Sequence, residues 1–311
     1  MPVVAARRRY LDARTLEQLA PLKLAAAHVV EGMRVGRHRS PLRGLSSTFA
    51  QHRPYVPGDE LRHVDWRVYG RTRRYYVRQY EAETDLSGYV LLDASQSMHY
   101  RSGRWSKLEY GKRLAAALVH LIITQGDRAA LAAFDRRIRS WMDPTSRPEM
   151  IDRFDAELSR LRAAGGTEVG GVFDELVQRI GRRSVVLVIS DMFTNVQAML
   201  DGLDRLRFAG HSVALLHVLD PGELELPQRG VRRWRAAEGA GRRVFRAPRV
   251  RAAYVQQVDR YLQQLRWTCG RRGVDYTLIR TDEPPGEALG RYLVRRSSRA
   301  GGHTARNWAV R

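Results

Sequence analysis

The sequence predicts an α/β fold built on a doubly wound, mostly parallel sheet. Three observations lead to this fold class. Strand-length apolar runs alternate with helix-length amphipathic segments from residue 86 to residue 294. The run 184–191 is continuously apolar between its ends, as expected for a strand covered on both faces. The run Leu86–Asp93 ends in the motif Asp-x-Ser-x-Ser, which places polar side chains at the carboxyl end of a strand. Ligands bind at that edge in such sheets.

Two parts are predicted before the main domain. Residues 1–44 contain a helical pattern over residues 12–33, which is followed by a basic loop. Residues 45–85 contain turn signals and then an alternating run over Tyr75–Glu81, which is typical of a strand. We therefore expect an N-terminal helix with its loop, and then a small β-rich layer.

The main domain is predicted to cover residues 86–296. Its helices show apolar residues at three- and four-residue spacing, and the first of them opens with a capping box formed by Ser106 and Glu109. Its strands are short apolar or alternating runs bounded by turn residues. In chain order the predicted elements are strand 86–93, a helix after Ser106, strands 128–134 and 138–142 joined as a hairpin, helices 148–161 and 169–180, strand 184–191, helix 197–208, strand 212–219, helix 251–267, strand 275–280 and helix 285–294.

Two segments break this pattern. Residues 220–248 lose apolar periodicity and are rich in Gly, Pro and Arg. Two short alternating runs within them predict a surface hairpin insertion. Residues 297–311 have no apolar periodicity, and we expect a disordered tail there.

The charge of the chain is strongly positive. Its 311 residues include 54 Lys and Arg against 33 Asp and Glu, which gives +21, and the only lysines are Lys23, Lys107 and Lys112. This excess suggests an acidic partner such as nucleic acid, anionic lipid or an acidic protein face, or else a solvated arginine-rich surface. The basic residues are scattered along the chain, which disfavours nucleic acid.

Cysteine usage and hydropathy suggest a cytoplasmic protein. Cys269 is the one cysteine, so an intrachain disulfide is excluded and a reducing compartment fits. Cys269 lies in an amphipathic stretch and is expected to be a core thiol. No apolar run is long enough to span a bilayer, and no signal-peptide pattern follows the N-terminal arginines.

Five oxygen-bearing side chains form a candidate metal site. Asp93, Ser95 and Ser97 offer three oxygen donors within five residues, which suits a hard divalent cation. Asp191 ends the strand 184–191, and Thr167 follows two glycines that allow close backbone approach. With water, these groups make an octahedral oxygen shell that favours Mg²⁺, or Mn²⁺ where it is available. The alternative is that Asp93 only accepts from loop N–H groups and Ser97 only caps a turn.

These motifs resemble two known families. Asp93-x-Ser95-x-Ser97, the Gly-Gly-Thr loop and the strand that ends in Ser190-Asp191 resemble the metal-ion-dependent adhesion site (MIDAS) of von Willebrand factor A (vWA) domains, which have a Rossmann-like sheet. Several other blocks resemble the bacterial family of unknown function called DUF58. These blocks are Arg53-Pro54-Tyr55-Val56-Pro57-Gly58-Asp59-Glu60, Val64-Asp65-Trp66, Val218-Leu219-Asp220-Pro221, Glu225-Leu226-Pro227, Gly273-Val274-Asp275-Tyr276 and Thr281-Asp282-Glu283-Pro284.

The resemblance implies a binding module rather than an enzyme. It implies that Asp93, Ser95, Ser97, Thr167 and Asp191 ligate the metal, some of them through water. It also implies a partnership with a MoxR-type AAA+ ATPase in the assembly or activation of client proteins, which dock through an acidic residue at the metal. Relatives often carry N-terminal transmembrane helices, and this sequence has no such pattern.

Two other functions are weighed against that one. The first is nucleic-acid binding by arginines that converge on one face. The second is an Mg²⁺-dependent hydrolase that uses Asp191, for which no general base or phosphate-binding loop can be named. The arginines of the first alternative are Arg71, Arg73, Arg74, Arg232, Arg233 and Arg242.

The upstream block contains further candidate residues, and each has a structural explanation. His52, His63, Asp59 and Asp65 could suggest a metallohydrolase, but the spacing favours a turn and ion pairs instead. The aromatic residues Trp66, Tyr75 and Tyr76 are more typical of a core than of a base-stacking platform.

Overall fold

The structure is a computed structural model that describes residues 8–22, 47–56, 64–82, 87–166, 169–181, 183–193, 195–226, 231–235 and 242–305. The chain divides into two compact units. The first unit combines Met1–Met33 with Leu86–Arg311, and the second is Arg34–Asp85. No helix in the described part of the chain is long and apolar enough to cross a membrane.

Ten strands and nine α-helices lie within the described residues. In chain order they are α1 (Ala13–Leu19), β1 (Ser47–Pro54), α2 (Trp66–Thr72), β2 (Tyr76–Ala82), β3 (Ser87–Asp93), α3 (Lys107–Thr124), β4 (Arg128–Phe134), β5 (Ile138–Thr145), α4 (Met150–Arg160), α5 (Gly170–Arg179), β6 (Val185–Ser190), α6 (Val196–Phe208), β7 (Ser212–Leu219), α7 (Pro221–Glu225), β8 (Val231–Arg235), β9 (Arg242–Arg246), α8 (Ala247–Arg271), β10 (Asp275–Arg280) and α9 (Pro285–Ala305).

The first unit contains a six-stranded sheet with the order β10-β7-β6-β3-β4-β5. All neighbouring strands are parallel except β5, which forms an antiparallel hairpin with β4. The predicted doubly wound, mostly parallel α/β fold is therefore confirmed. The chain leaves β3 toward β4 on one side and later enters β6 on the other side. The carboxyl ends of β3 and β6 therefore flank a topological switch point, where such sheets bind ligands.

The sheet is covered on both faces, because consecutive strand residues point to opposite sides. In β3, Val90 and Leu92 pack into one core with helices α1, α3, α4 and α9. Leu91 packs into a second core with α5, α6 and α8, which also buries the predicted core thiol of Cys269. The sheet is therefore packed between the two cores, and it positions the loops at the carboxyl ends of its strands.

The N-terminal segment belongs to the unit that contains the sheet, although the sequence suggested a separate part over residues 1–44. Tyr10 is fully buried, and its backbone N–H donates to Asp155 Oδ1 at 3.0 Å. Leu19 of α1 is also fully buried, in the same core as α3 and α9. The local pattern showed a helix but did not show what the helix packs against. Residues 23–33 of the predicted helix lie outside the described residues.

The carboxyl-terminal part shows one agreement and one correction. Strands β8 and β9 pair as an antiparallel hairpin inside residues 220–248, where a hairpin insertion was predicted. The final helix α9 continues to Ala305, so the expected disorder over residues 297–311 is wrong for residues 297–305. Arg296 explains part of the extension, because its guanidinium lies 3.3 Å from Asp275 Oδ2 and donates to Ser212 Oγ.

The second unit contains the antiparallel pair β1–β2 and the short helix α2 between them. The register shifts at Phe49/Gln51 by one bulge. Asp65 is buried and caps α2, because its carboxylate accepts from the backbone N–H groups of Arg67 and Val68. Asp65 is therefore a helix cap here, a role that needs no metal. Residues 57–63, which include Asp59 and His63, lie outside the described residues.

The sequence suggested that the aromatic residues of this unit form a core, but the structure shows that they do not. Trp66 is 57% exposed and Tyr75 is 48% exposed, and Tyr76 is half-buried. The ring of Tyr69 stacks on the ring of Tyr75 with centroids 4.5 Å apart. The prediction was wrong because α2 buries none of its residues, so that its aromatic side chains pack on one another.

Candidate functional site

The candidate site lies where strands β3 and β6 end side by side. Asp93 is the last residue of β3, and Asp191 directly follows β6. The two strands are parallel neighbours, and Leu92 is paired with Ile189 in the register. Asp93 therefore comes beside Ser190, whose hydroxyl donates to Asp93 Oδ2 at 2.7 Å. Asp93 is fully buried.

The loop after β3 orders three of the predicted ligands. The backbone N–H of Ser95 donates to Asp93 Oδ1 at 2.9 Å, and the hydroxyls of Ser95 and Ser97 lie 3.0 Å apart. Both serines are buried. Adjacent ligands in an Mg²⁺ octahedron are separated by about 2.9 Å, because Mg–O bonds are about 2.0–2.1 Å long. The two hydroxyls thus have the spacing of neighbouring ligands.

The glycine-rich loop is fastened to the same place. The backbone N–H of Gln96 donates to the Gly165 carbonyl at 2.9 Å, and that of Ala164 donates to the Ala94 carbonyl at 3.0 Å. Gly165 has a φ of 73°, and a Cβ there would lie 2.9 Å from Asp135 Oδ2, so glycine is required. Thr167 lies outside the described residues, and its role as a ligand stays a prediction.

Asp191 is held by groups that the sequence interpretation did not include. Its Oδ1 accepts from the Phe193 N–H at 2.9 Å, and its Oδ2 accepts from the ammonium of Lys107 at 2.6 Å. The same ammonium donates to Glu223 Oε1 at 2.6 Å. One signal in the sequence could have indicated this pairing: Lys107 stands at the first position of α3, where the helix dipole disfavours a cation unless a carboxylate lies nearby.

The sequence interpretation placed Ser190 in the motif without giving it a role, and it did not include His217. Ser190 Oγ accepts from the Met192 N–H at 3.0 Å while it donates to Asp93, so it joins the two loops. His217 hydrogen-bonds through Nε2 to the Asp191 carbonyl and through Nδ1 to the Tyr276 hydroxyl. Burial lowers the pKa of His217 to about 4, so the ring is neutral at physiological pH. Ser190 stands in the Ser-Asp end of its strand, which belongs to the metal-site motif, whereas no local pattern distinguishes His217 from an ordinary strand residue.

The two buried aspartates of the site repel each other. Burial, and then the charge of Asp191, raise the pKa of Asp93 to about 7, although hydrogen bonds from Ser190 and Ser95 oppose the rise. Burial lowers the pKa of Lys107, but the charges of Asp191 and Glu223 outweigh this and raise it overall. The ammonium therefore stays charged. A divalent cation would relieve the repulsion between the two aspartates.

The donor set fits Mg²⁺ or Mn²⁺ in chemical type. All the donors are oxygens, which hard cations prefer, and the two hydroxyls have the spacing of neighbouring ligands. The described residues contain no group of three or more His, Cys, Asp or Glu that could hold a metal ion. Two carboxylates would therefore need hydroxyls and water to complete the shell. Zinc fits less well, since the hydrogen-bond partners of the two aspartate carboxylates include neither sulfur nor imidazole, and His217 bonds to the Asp191 carbonyl instead.

The rim of the site carries exposed aromatic side chains. Phe193 is 51% exposed and lies two residues after Asp191. Tyr100 is 40% exposed, and its ring lies 5.7 Å from the Lys107 ammonium. Met192, between the aspartate and the phenylalanine, has a φ of 53° in the left-handed region. Exposed aromatic side chains beside a polar centre are typical of a protein-docking surface.

The comparisons with known proteins give a family and several relatives. A family described as "Protein of unknown function DUF58" matches residues 51–263. The uncharacterized protein Mb1516 of Mycobacterium bovis is 28% identical over 222 residues, which cover 70% of this chain and 69% of that protein. The uncharacterized protein Rv1480 of Mycobacterium tuberculosis has the same identity and coverage.

Two solved structures are also similar to part of this chain. The conserved hypothetical protein BatB from Bacteroides thetaiotaomicron is similar with 18% identity and a TM-score of 0.45, over 68% of this chain and 99% of that chain. The SpRpn10 VWA domain is similar with 12% identity and a TM-score of 0.39, over 66% of this chain and 93% of that chain. The family match covers more than half of the chain, and the chain therefore belongs to the DUF58 family, as its sequence motifs had predicted.

Proposed function

We propose that this chain is a metal-dependent, protein-binding module. Asp93, Ser95, Ser97, Thr167 and Asp191 would hold Mg²⁺, or Mn²⁺, directly or through water. The bound cation would offer a positive coordination position to a carboxylate of the partner. The observation that carries the proposal is that two buried aspartates at the ends of neighbouring strands are close enough to repel each other, and that two hydroxyls at ligand spacing follow the first of them.

Binding fits this arrangement better than catalysis does. The Ser95 hydroxyl faces the Ser97 hydroxyl, and no imidazole contacts it in the described structure. The nearby His217 is occupied by Tyr276 and by the Asp191 carbonyl. A nucleophile needs an adjacent general base, so we place the Mg²⁺-dependent hydrolase last among the candidate functions.

The proposed partners follow from the family resemblance. We propose a MoxR-type AAA+ ATPase and a client protein that docks an Asp or Glu at the metal, in chaperone-like assembly or activation. We also propose a cytoplasmic site of action. The exposed Phe193 beside Asp191 supports a protein partner, because it offers apolar contact area next to the charged centre.

The proposal is tested with an Asp93→Ala variant. We expect the Mg²⁺ affinity of this variant to fall by more than about 100-fold in isothermal titration calorimetry. Even residues that only hydrogen-bond to a metal ligand contribute about 10- to 100-fold to metal affinity. We also expect it to lose EDTA-sensitive co-purification with a MoxR-type ATPase. The control is Asp259→Ala, which removes an exposed carboxylate from α8. Equal ATPase capture by wild type and Asp93→Ala would exclude the metal role.

The pKa of Asp93 predicts how Mg²⁺ binding depends on pH. Metal requires the ionised carboxylate, and the pKa of Asp93 is raised from 3.8 to about 7. Mg²⁺ affinity should therefore fall by about tenfold per pH unit below this pKa and level off above it. Without metal, the stability of the fold changes with pH in the opposite direction to the Mg²⁺ affinity. The folded state keeps a proton that the unfolded state releases, so stability falls as pH rises from 3.8 to about 7.

Calorimetric titrations on either side of pH 7 measure the affinity, and urea unfolding in EDTA measures the stability. An Mg²⁺ affinity that is constant across this range would show that Asp93 is not a ligand. Asp93→Asn removes the titrating group, so its unfolding should lose this pH dependence.

Nucleic-acid binding is the second candidate function. Arg71, Arg73 and Arg74 are exposed within four residues at the end of α2, in the unit that also carries the exposed Trp66 and Tyr75. The side chains of Arg232, Arg233 and Arg242 lie outside the described residues, so convergence of all six is untested. Binding of this kind would weaken steeply as salt rises. It would also persist in Asp93→Ala, which separates it from the first proposal.

A further inference from the structure

Lys107 is a buried cation beside the candidate metal ligands. Its ammonium lies 2.6 Å from Asp191 Oδ2 and 2.6 Å from Glu223 Oε1. The side chain of Lys107 is 1% exposed and that of Asp191 is 0% exposed. A charge buried to this extent is tolerated only with close partners, and here two carboxylates share one ammonium.

The type and place of this residue are unusual for the chain. Lys107 is one of three lysines among 54 basic residues. It follows the N-cap Ser106, where the helix dipole disfavours a cation. An ammonium is a compact point charge, whereas guanidinium is a planar fork, so only lysine presents a charge of the size of a small cation here.

Glu223 is fixed in position by groups other than Lys107. Its Oε2 accepts from the Asp220 backbone N–H at 3.0 Å as part of the capping box of α7. Its carbonyl accepts from the Tyr254 hydroxyl of α8 at 2.7 Å. Lys107 therefore keeps one anchored carboxylate when Asp191 takes another cation.

We propose that Lys107 is a tethered cation that competes with the divalent metal for Asp191 and that, once the metal is bound, favours the docking of a carboxylate. This inference rests on the proposed metal site. With Asp93, Asp191 and Glu223 ionised, the three acids and Lys107 carry two net negative charges. A divalent cation changes this to zero, so a partner carboxylate meets no net repulsion at the metal. Without Lys107 the loaded site would carry one net negative charge, which repels a partner carboxylate.

Lys107 therefore has two opposite effects. It weakens metal binding, because the metal must displace its ammonium from Asp191 Oδ2. It strengthens carboxylate docking once the metal is bound, because its charge stays in the site. A residue that only stabilises the fold would change both affinities in the same direction, so the pair of measurements separates the two roles.

The first measurement is Mg²⁺ binding by calorimetry, at a pH above the pKa of Asp93. The Mg²⁺ affinity of Lys107→Met should be at least about tenfold higher than that of wild type, because one close charge interaction in a protein has an effect of this size. The matched control is Lys112→Met. Lys112 lies on the same helix and is equally buried, but its partners are Glu109 and the Leu161 carbonyl. Its Mg²⁺ affinity should equal that of wild type.

A second variant keeps the test valid if Lys107→Met does not fold. Glu223→Gln leaves Asp191 as the one carboxylate paired with Lys107. Mg²⁺ affinity should then fall by about tenfold, opposite in sign to Lys107→Met. Circular dichroism and thermal unfolding establish that each variant is folded. A Glu223→Gln variant with unchanged or higher affinity would overturn the competition.

Carboxylate docking is measured with acetate as the probe. Each variant is loaded with Mn²⁺, and acetate is titrated while water-proton relaxation reports displacement of metal-bound water. Wild type and Lys112→Met should bind acetate more tightly than Lys107→Met does, by about tenfold. Equal acetate affinities in all three proteins would show that the charge of Lys107 does not contribute to carboxylate docking.

The outcomes distinguish the two proposals. If neither wild type nor Lys107→Met binds Mg²⁺ or Mn²⁺, both the metal function and the role of Lys107 are overturned. If wild type binds Mg²⁺ and Lys107→Met binds it equally or more weakly, the role of Lys107 alone is overturned. Tighter Mg²⁺ binding together with weaker acetate binding in Lys107→Met supports the proposal.

Discussion

Replacing Asp191 with alanine should lower the free energy of unfolding by about 3 kcal/mol in metal-free buffer, within the range of about 3–5 kcal/mol for breaking a buried ion pair. The Lys107 ammonium would lose the carboxylate at 2.6 Å and stay buried with Glu223 alone. The Phe193 N–H would lose its acceptor as well. We expect a loss of stability at the lower end of this range, because Glu223 still pairs with the Lys107 ammonium. Urea unfolding in EDTA measures it.

The control for this prediction removes both charges. Replacing Lys107 and Asp191 together by Met and Leu removes the buried cation with its partner, and such apolar replacements are often neutral or stabilising. The double variant should therefore be more stable than Asp191→Ala. If Asp191→Ala unfolds at the same urea concentration as wild type, the ion pair does not form in solution.

Replacing Phe173 with alanine should destabilise the protein by about 3–5 kcal/mol, the range for phenylalanine removed from a close-packed core. Phe173 of α5 is fully buried and contacts the ring of Phe134 edge to face with centroids 6.1 Å apart. It also fills the space over Gly202 of α6, where a Cβ would lie 2.5 Å from the ring. Thermal or urea unfolding measures the loss.

This substitution should also disturb the candidate site. Phe134 ends β4, and its carbonyl accepts from the Ala94 N–H at 2.7 Å, inside the loop that carries Asp93 and Ser95. The control is Phe208→Ala, because Phe208 is 86% exposed and its removal should change stability by less than about 0.5 kcal/mol. Similar losses in the two variants would contradict the packing described here.

Much of the fold could be predicted because its causes are local. The apolar run of β6 and the amphipathic pattern of α3 each specify an element from adjacent residues, and parallel order follows from their alternation. The first candidate ligands were also visible, since Asp93, Ser95 and Ser97 lie within five residues at a strand end. What α1 packs against, and the exposure of Trp66, depend on contacts that no periodicity records.

The α/β class, the strand that carries Asp93 and the family to which the chain belongs could all be inferred from the amino-acid sequence. Tertiary structure alone decided that Lys107 pairs with Asp191, 84 residues away, and with Glu223, 116 residues away. Such a pair forms because both partners are buried at one sheet edge, where an unpaired charge is costly. Local patterns carry no information about that burial, so this part of the site was outside their reach.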